Sequence, residues 1–188
     1  MISTADFKKG QRFEWNGEPW VVLDSTTQSP SARGGATLVK AKVKNVLTGQ
    51  FQAVTFKSGE KFREPDIEMR NGQFLYVEGE HYYFLDSATY DQVPLDADLL
   101  GDQALYLTEN MEVRLVFYNE RPVGLELPNT AVYEITQCDP GIKGDTVTAV
   151  TKEAVVETGL RVQVPLFLEQ GERIRVDTRD GRYLERAK

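Results

Sequence analysis

The sequence predicts an all-β fold of three small barrels, each of about sixty residues. Short runs rich in β-branched and aromatic residues recur along the chain, separated by pairs such as Asn16-Gly17 and Thr48-Gly49. This spacing is typical of strands joined by tight turns. Residues 96–105 are the best helix candidate. Many short strands with little helix indicate barrels or sandwiches, and 188 residues have room for two or three small domains.

The first predicted domain, residues 1–64, contains a hairpin and a strand with two different faces. Asn16-Gly17 separates runs 12–15 and 20–23, and Asn-Gly is the strongest short-range hairpin signal. Within residues 37–47 lysines alternate with apolar residues. Successive side chains of a strand point to opposite faces. One face is therefore predicted to carry Lys40, Lys42 and Lys44.

The second predicted domain, residues 65–127, contains the helix candidate. Strands are predicted at residues 74–77, 81–85, 110–118 and 122–127. Asn71-Gly72 is predicted as a turn before the first of them, and Asn119-Glu120 as the turn of the last hairpin. Residues 96–105 predict a helix with Asp96 or Asp98 as its N-cap.

The third predicted domain, residues 128–188, again consists of strands and turns. Strands are predicted at residues 132–136, 147–150, 160–164, 173–176 and 183–186. Asp139-Pro140-Gly141 predicts a loop, and Gln170-Gly171 and Asp180-Gly181 predict turns between the later strands.

Charge is distributed unevenly along the chain. The formal net charge is −7, yet residues 1–64 carry ten basic and six acidic side chains, residues 65–127 carry three and thirteen, and residues 128–188 carry nine and ten. A basic end beside an acidic middle can orient a protein against RNA and limit non-specific binding. Acidic surface also simply keeps proteins soluble, so charge alone leaves both interpretations open.

Residues 25–36 form the most unusual segment. It combines small polar residues, one proline, Gly34-Gly35 and a single cation, Arg33. Such a loop can project from a barrel, and its glycines allow close backbone approach to a partner. A guanidinium can fork onto phosphate or stack on a base, and Lys40 and Lys42 could extend a phosphate-binding stripe behind it. The alternatives are an ordinary hairpin loop with a solvated arginine and a solvated strand face.

The sequence lacks the patterns of common catalytic and cofactor sites. The single histidine, His81, lies among aromatic residues, and Cys138 has no histidine near it in sequence. Neither predicts a nucleophile–base pair. Zinc-ligand spacings and the phosphate-binding pattern Gly-x-x-x-x-Gly-Lys-Ser/Thr are also missing from the sequence. We therefore expect no enzyme activity, no metal and no cofactor.

The sequence also predicts a cytoplasmic protein without a membrane partner. No run approaches the ~20 apolar residues that a membrane helix needs, and the first residues are too polar for the apolar part of a signal peptide. A single cysteine excludes an internal disulfide framework and fits a reducing compartment.

The last third of the chain carries a long, spaced pattern that resembles elongation factor P. The pattern comprises Pro140-Gly141-Ile142-Lys143-Gly144-Asp145-Thr146, Lys152-Glu153-Ala154, Thr158-Gly159-Leu160, Val164-Pro165-Leu166-Phe167, and spaced positions from Gly171 to Arg186. Earlier matching segments are Phe7-Lys8-Lys9-Gly10, Asn16-Gly17-Glu18-Pro19-Trp20, Leu47-Thr48-Gly49, Phe56-Lys57-Ser58-Gly59-Glu60 and residues 82–86. The resemblance covers essentially the whole chain.

This resemblance implies a fold and a role in translation. The family has an SH3-like (KOW) barrel followed by two OB-fold barrels, in an L-shaped arrangement resembling tRNA. Its members bind the 70S ribosome between the P and E sites and stimulate peptide-bond formation at polyproline stalls by positioning P-site tRNA. We accordingly expect the ribosome, P-site peptidyl-tRNA and mRNA in the E site as partners of a monomeric chain.

The resemblance also implies site residues. The tip of the first-domain loop, near the CCA end of P-site tRNA, corresponds to Arg33 with Ser31, Ala32, Gly34 and Gly35. The segment near the E-site codon corresponds to Gly144, Asp145 and Thr146. The positions facing the small subunit correspond to Tyr183 and Arg186.

The modification state of the loop tip stays open at this point. Many members carry an enzymatically extended lysine there, but residues 25–38 contain no lysine, which argues against that modification. Other members carry an arginine glycosylated with rhamnose, and Arg33 would then have an arginine-modifying enzyme as a partner. Residues 29–34 are instead similar to the elongation-factor-P-like paralogue, whose arginine acts unmodified. We favour an unmodified Arg33.

Two other functions compete with this interpretation. A general OB-fold protein that binds single-stranded RNA needs aromatic stacking platforms on a basic groove, whereas the aromatic residues here cluster in the acidic segment 65–127. An enzyme with an acidic active site lacks a visible nucleophile–base pair.

Overall fold

The computed structural model describes residues 1–30, 34–140 and 150–188. Strands dominate these ranges, with one short α-helix and two 3₁₀ turns beside them. Two compact units divide the chain. One contains Met1–Glu68 and Phe117–Val123, and the other contains Met69–Val116 and Gly124–Lys188.

The first sheet lies in the N-terminal part of the chain. Its strands and the flanking short pair are β1 (Ile2–Ser3), β2 (Arg12–Trp15), β3 (Glu18–Gln28), β4 (Leu38–Asn45), β5 (Phe51–Lys57) and β6 (Lys61–Phe62). The sheet has the order β2-β3-β4-β5, and β1 pairs with β6. A 3₁₀ turn, Thr4–Asp6, follows β1. Because the backbone N–H of Glu14 donates to the carbonyl of Arg63 at 2.9 Å, the chain after β6 joins the edge of this sheet and curls it towards a barrel.

Aromatic rings fill the core of this first sheet. Phe7, Phe13, Phe56 and Phe62 all contact one another, with ring centroids 4.7 to 5.9 Å apart. Phe13 is completely buried. Tilted and edge-to-face ring pairs each add about 0.5–1.5 kcal/mol beyond the area they bury. This packed core therefore fixes the positions of β3 and β4.

The second sheet has five strands in the order β11-β10-β7-β8-β9. They are β7 (Ile67–Glu78), β8 (His81–Asp86), β9 (Gln92–Asp96), β10 (Glu112–Tyr118) and β11 (Arg121–Glu126). Between β9 and β10 lie the helix α1 (Ala97–Leu100) and a 3₁₀ turn, Gly101–Tyr106. Asn119 and Glu120 have φ of 49° and 63°, the left-handed pair that a tight two-residue hairpin requires.

The third sheet has the order β14-β13-β12-β15-β16. Its strands are β12 (Thr130–Cys138), β13 (Thr151–Val156), β14 (Arg161–Pro165), β15 (Arg173–Asp177) and β16 (Arg182–Arg186). The first half of β12 pairs with β15 and the second half pairs with β13, with a register shift between Ile135 and Gln137. A strand that changes partners across a bulge forms the corner of a barrel.

Tyr133 anchors this third barrel to the segment before β10. It is fully buried, and its hydroxyl donates to the carbonyl of Tyr106 at 2.6 Å. Tyr106 and Met111 pack against the same core. A Cβ on Gly181, whose φ is +73°, would lie 2.9 Å from the hydroxyl of Tyr106. Glycine at this turn therefore allows the Tyr106 ring to approach the backbone.

Several sequence predictions are confirmed. The chain is all-β, and the Asn16-Gly17 hairpin joins β2 to β3 with φ of 54° and 78°. On β4 the side chains of Val39, Ala41 and Val43 are buried, while Lys40 and Lys42 are exposed.

Other predictions are wrong in detail. Asn71-Gly72 is not a turn, because both residues lie inside the long strand β7. The predicted helix 96–105 is split into α1 and a 3₁₀ turn, and Asp96 makes no side-chain capping hydrogen bond. The strands β1, β6, β9 and β13 were not predicted from the sequence. Residues 147–149 of one predicted strand lie outside the described residues, and β13 begins after them.

Among the residues that the structure describes, no helix is long and apolar enough to cross a membrane. The predicted division into residues 1–64, 65–127 and 128–188 stays a prediction, as does the L-shaped arrangement.

Candidate nucleic-acid interface

The β3–β4 hairpin carries the loop singled out in the sequence. β3 continues to Gln28, which pairs with Leu38 of β4, so the first residues of the predicted loop belong to a strand. The connection between the two strands comprises residues 29–37. Thr26 and Thr27 favour the extended backbone because they are β-branched, and this signal could have revealed the longer strand.

The outer face of β4 carries the predicted lysines. Lys40 and Lys42 are exposed and Lys44 is half-buried. Lys40 lies between Thr26 of β3 and Thr55 of β5, and Lys42 lies opposite Asp24. These side chains border a shallow depression lined by Asp24, Thr26, Gln28, Lys40, Lys42, Ala53, Val54 and Thr55. Two ammonium groups and one carboxylate leave this lining with a net positive charge, which suits a phosphate backbone.

Phe51 extends this lysine face and was missed in the sequence. It pairs with Lys44 across the β4–β5 register, and the Lys44 ammonium lies 5.5 Å from its ring centroid. The ring is 68% exposed. The sequence alone did not show this position, because it depends on the β4–β5 register. An exposed ring next to cations can stack on a base or a ribose.

The loop tip is described only in part. Ser31, Ala32 and Arg33 lie outside the described residues. Gly34 and Gly35 are exposed, and Gly34 has a φ of +92°. Residues other than glycine rarely adopt this backbone conformation, so the loop requires glycine there.

The second predicted group lies on β16. Arg186 forms an ion pair with Glu172, with Nη2 and Oε1 2.6 Å apart, and its guanidinium lies 5.4 Å from the ring centroid of Phe167. Tyr183 pairs with Val176 and packs against the core of the third barrel. Gly144, Asp145 and Thr146 lie outside the described residues. Phe167, which is 62% exposed, was not predicted as part of this group.

The turn between β15 and β16 is held by an arginine–carboxylate pair. Arg179 donates from Nε to Oδ1 of Asp177 at 3.0 Å and from Nη2 to Oδ2 at 2.6 Å. These bonds, with the Arg179 backbone N–H, lower the pKa of Asp177 to about 2. Bidentate pairing fixes the carboxylate geometry, so Asp177 is a structural group of this turn.

The described residues of the two candidate groups do not form a metal centre. Within residues 1–30, 34–140 and 150–188, no three His, Cys, Asp or Glu side chains are arranged to hold a metal ion. His81 lies with Nδ1 2.7 Å from Oδ1 of Asp96, and both side chains are more than half exposed. What the described surface offers is cations and rings suited to polyanion binding.

Three family descriptions match the chain. Residues 3–62 match the elongation factor P KOW-like domain, residues 67–125 match the elongation factor P OB domain, and residues 132–186 match the elongation factor P C-terminal domain. Elongation factor P of Nitratidesulfovibrio vulgaris is 45% identical over 99% of this chain and its own full length. The chain belongs to the elongation factor P family. It is a translation elongation factor.

Other relatives extend the elongation factor P comparison. Elongation factor P of Thermotoga maritima is 44% identical and elongation factor P 1 of Geobacter sulfurreducens is 46% identical, each over all of this chain and all of its own. A solved structure titled eukaryotic translation initiation factor 5A from Methanococcus jannaschii matches with a TM-score of 0.53 and 20% identity. That match covers 64% of this chain and 88% of the other, and it shows a shared fold. The predicted KOW and OB barrels are thereby confirmed.

Proposed function

We propose that this elongation factor binds the 70S ribosome between the P and E sites and relieves polyproline stalls by positioning the P-site peptidyl-tRNA. The observation that carries this proposal is the β3–β4 hairpin, whose exposed lysine face leads to the loop that contains Arg33. A lysine face of this kind suits the sugar–phosphate backbone of a tRNA.

Arg33 acts at the tip, with Ser31, Ala32, Gly34 and Gly35 as its neighbours. A guanidinium can fork onto phosphate or stack on an unpaired base, which fits the single-stranded CCA end of a tRNA. Lys40 and Lys42 bind phosphates behind the tip. We infer that Arg33 acts without modification. The ground for this inference is the similarity of residues 29–34 to the elongation-factor-P-like paralogue.

The factor accelerates peptide-bond formation without being an enzyme itself. Proline is a poor nucleophile, so its reaction gains most from a fixed orientation of the peptidyl-tRNA. Orientation alone can lower an entropic barrier by several kcal/mol, up to about 7–11 kcal/mol in well-ordered cases. No acid or base from the factor is needed for this effect.

The candidate residues of the third domain contact the ribosome away from the CCA end of the tRNA. Gly144, Asp145 and Thr146 lie near mRNA in the E site, and Tyr183 and Arg186 face the small subunit. The factor acts as a monomer in the cytoplasm, with domains at residues 1–64, 65–127 and 128–188.

One observation favours a second candidate, a general protein for single-stranded RNA. Phe51 is an exposed ring beside the lysines of β4, and such rings bind bases without sequence preference. This candidate predicts equal affinity for free oligouridylate and for ribosomal complexes, whereas the proposed function predicts a strong preference for the ribosome.

The test is a reconstituted translation assay on a triple-proline message with unmodified recombinant protein. Wild type is expected to relieve the stall, and Arg33→Ala is expected to lose at least tenfold in the rate of the stalled step. Arg161→Ala, at an arginine that is 73% exposed on β14, serves as the matched control and keeps full activity.

Two results would overturn parts of this proposal. If unmodified protein is inactive and native protein carries an added sugar mass on Arg33, the unmodified mechanism is wrong. If unmodified protein is inactive and the native mass is unaltered, the function itself is wrong.

A further inference from the structure

The outer face of β7, β8 and β9 carries a row of partly exposed rings. Tyr76 pairs with Tyr83, and Tyr83 pairs with Pro94 across the β8–β9 register. The two tyrosine rings are stacked, with centroids 4.9 Å apart and planes 22° apart. Tyr76 is 45% exposed. Tyr76, Tyr83 and Pro94 are called the ring row below.

The opposite face of the same strands forms a core. Phe74, Phe84 and Leu95 are buried, as period-2 alternation requires. The ring row is therefore the solvent face of the sheet and is not needed to close the core. Large rings on a solvent face are unusual, because aromatic residues contribute most when both ring faces are desolvated.

A second cross-strand row runs beside the rings. Glu78 pairs with His81, and His81 pairs with Asp96. All three side chains are exposed, and the His81 ring lies 6.5 Å from the ring of Tyr83. Glu78 and Asp96 therefore flank His81 on the same face as the tyrosines, with His81 Nδ1 2.7 Å from Oδ1 of Asp96.

Charge selects the class of occupant for this face. Residues 71–113 contain nine acidic side chains and no lysine or arginine. A polyanion such as RNA would be repelled, since single-strand binding requires a positively charged groove around the stacking rings. A cation is stabilised by two interactions here, one with the face of a tyrosine ring and one with a neighbouring carboxylate.

We propose that the ring row and its flanking carboxylates bind an arginine-rich segment of a partner protein. A guanidinium stacks on the exposed ring of Tyr76, and its N–H groups donate to Glu78 or Asp96. Arginine is favoured over lysine because its planar group stacks and forks at the same time. This site is independent of the proposed tRNA contact, since it uses none of the residues of the β3–β4 hairpin.

The test uses the full chain and a short labelled peptide of alternating Gly and Arg, with fluorescence anisotropy as the readout. Tyr76→Leu with Tyr83→Leu keeps apolar area but removes the π faces, and Glu78→Gln with Asp96→Asn removes the charges. Each pair is expected to weaken binding roughly tenfold, which corresponds to about 1.4 kcal/mol. The matched controls are Tyr90→Leu and Glu109→Gln, at an exposed ring and an exposed carboxylate off this face.

Amide chemical-shift mapping locates the peptide, and the shifts are expected on β7, β8 and β9. Circular dichroism checks that each variant folds. If the double tyrosine variant does not fold, the single variant Tyr76→Leu and the double charge variant still test whether the peptide binds this face. The proposal is overturned if the peptide fails to bind, or if the controls weaken it as much as the face variants. It is also overturned if a short oligouridylate binds the same face more tightly than the peptide.

Discussion

At the scale of single residues, Tyr133 shows how one buried polar group organises the third barrel. Its ring is fully buried and its hydroxyl donates to the carbonyl of Tyr106 at 2.6 Å. Burial raises the pKa of Tyr133, so the hydroxyl remains a donor across the whole physiological range. The bond ties the 3₁₀ turn before β10 to the core strand β12.

Tyr133→Phe is expected to destabilise the protein by about 1 kcal/mol, because it leaves the Tyr106 carbonyl without its donor in a partly buried site. Urea denaturation followed by circular dichroism measures this change. Tyr90→Phe removes a hydroxyl from a ring that is 77% exposed and should leave the midpoint unaltered. Equal midpoints for both variants would mean that the hydrogen bond contributes nothing.

Gly72 predicts a second residue-scale effect. A Cβ there would lie 2.7 Å from Cδ1 of Leu115 and 3.0 Å from the carbonyl oxygen of Leu85. Gly72→Ala is therefore expected to cost about 1–3 kcal/mol through overpacking. Gly124→Ala is the control, since its Cβ would meet nothing within 4 Å and Gly124 also lies in a strand. Thermal denaturation compares the two, and a neutral Gly72→Ala would show that Leu115 can move aside.

The Asp177–Arg179 pair predicts a pH effect. Its hydrogen bonds to Arg179 lower the pKa of Asp177 to about 2, below the value of about 3.9 in an unfolded chain. A lowered folded-state pKa stabilises the fold above the unfolded value, and this stabilisation is lost as the pH falls from about 4 to about 2.

Asp177→Asn should therefore lower the melting temperature at pH 7, and its difference from wild type should shrink as the pH falls through that window. Melting curves from pH 7 to pH 2 measure the difference. Glu109→Gln, at an exposed loop position, provides the charge-matched comparison. A difference that is constant with pH would assign the effect to packing instead of ionisation.

At the scale of elements, β4 is the strand whose structure could be predicted most completely. Alternation placed Lys40 and Lys42 outside and Ala41 and Val43 inside, as the structure does. The alternation was visible because one face of the strand is buried and the other meets solvent. The hydrophobic pattern did not show the extension of β3 to Gln28, because its last residues are polar on both faces. The β-branched Thr26 and Thr27 were the only sign of an extended backbone there.

The lysine face makes an element-scale prediction. Lys40→Gln with Lys42→Gln should weaken ribosome binding and lower the slope of log affinity against log salt by roughly 1.5, since each lost phosphate contact removes about 0.7–0.9. Filter binding over a salt series measures the slope. Lys9→Gln with Lys61→Gln removes two exposed charges elsewhere on the same unit and should change it less. Equal slopes for the two pairs would argue against phosphate contacts on β4.

The long strand β7 shows what the sequence concealed. Asn71-Gly72 has the composition of a turn, yet Gly72 serves close packing against Leu115. A glycine that is needed because a neighbouring side chain leaves no room for a Cβ cannot be told from the sequence apart from a glycine that is needed for a positive φ. The register shift between Phe74 and Tyr76 also breaks the alternation that would have marked this strand. The ring row was hidden for the same reason, because Tyr76, Tyr83 and Pro94 come together only through strand pairing.

At the scale of the whole molecule, charge polarity was predictable because it needs no knowledge of the fold. Residues 1–64 have four more basic than acidic side chains, and residues 65–127 have ten more acidic than basic ones. The exposed faces of Lys40 and Lys42 could be predicted because strand alternation reveals them, whereas the role of Arg33 stays a prediction. Phe51 and Phe167 depend on neighbours from other strands, and composition cannot show those neighbours.

This polarity makes a last prediction about selectivity. If the acidic segment limits non-specific binding, then neutralising Asp91, Asp98 and Glu109, all exposed, should raise affinity for oligouridylate roughly threefold to tenfold at low salt. The gain should disappear at high salt, because exposed charges are screened beyond about 3–10 Å. Ribosome affinity should rise less, since specific binding adds contacts that do not depend on the mean charge. Anisotropy titrations at two salt concentrations compare the triple variant with wild type. An unaltered oligouridylate affinity at low salt would mean that the acidic segment plays no part in rejecting free RNA.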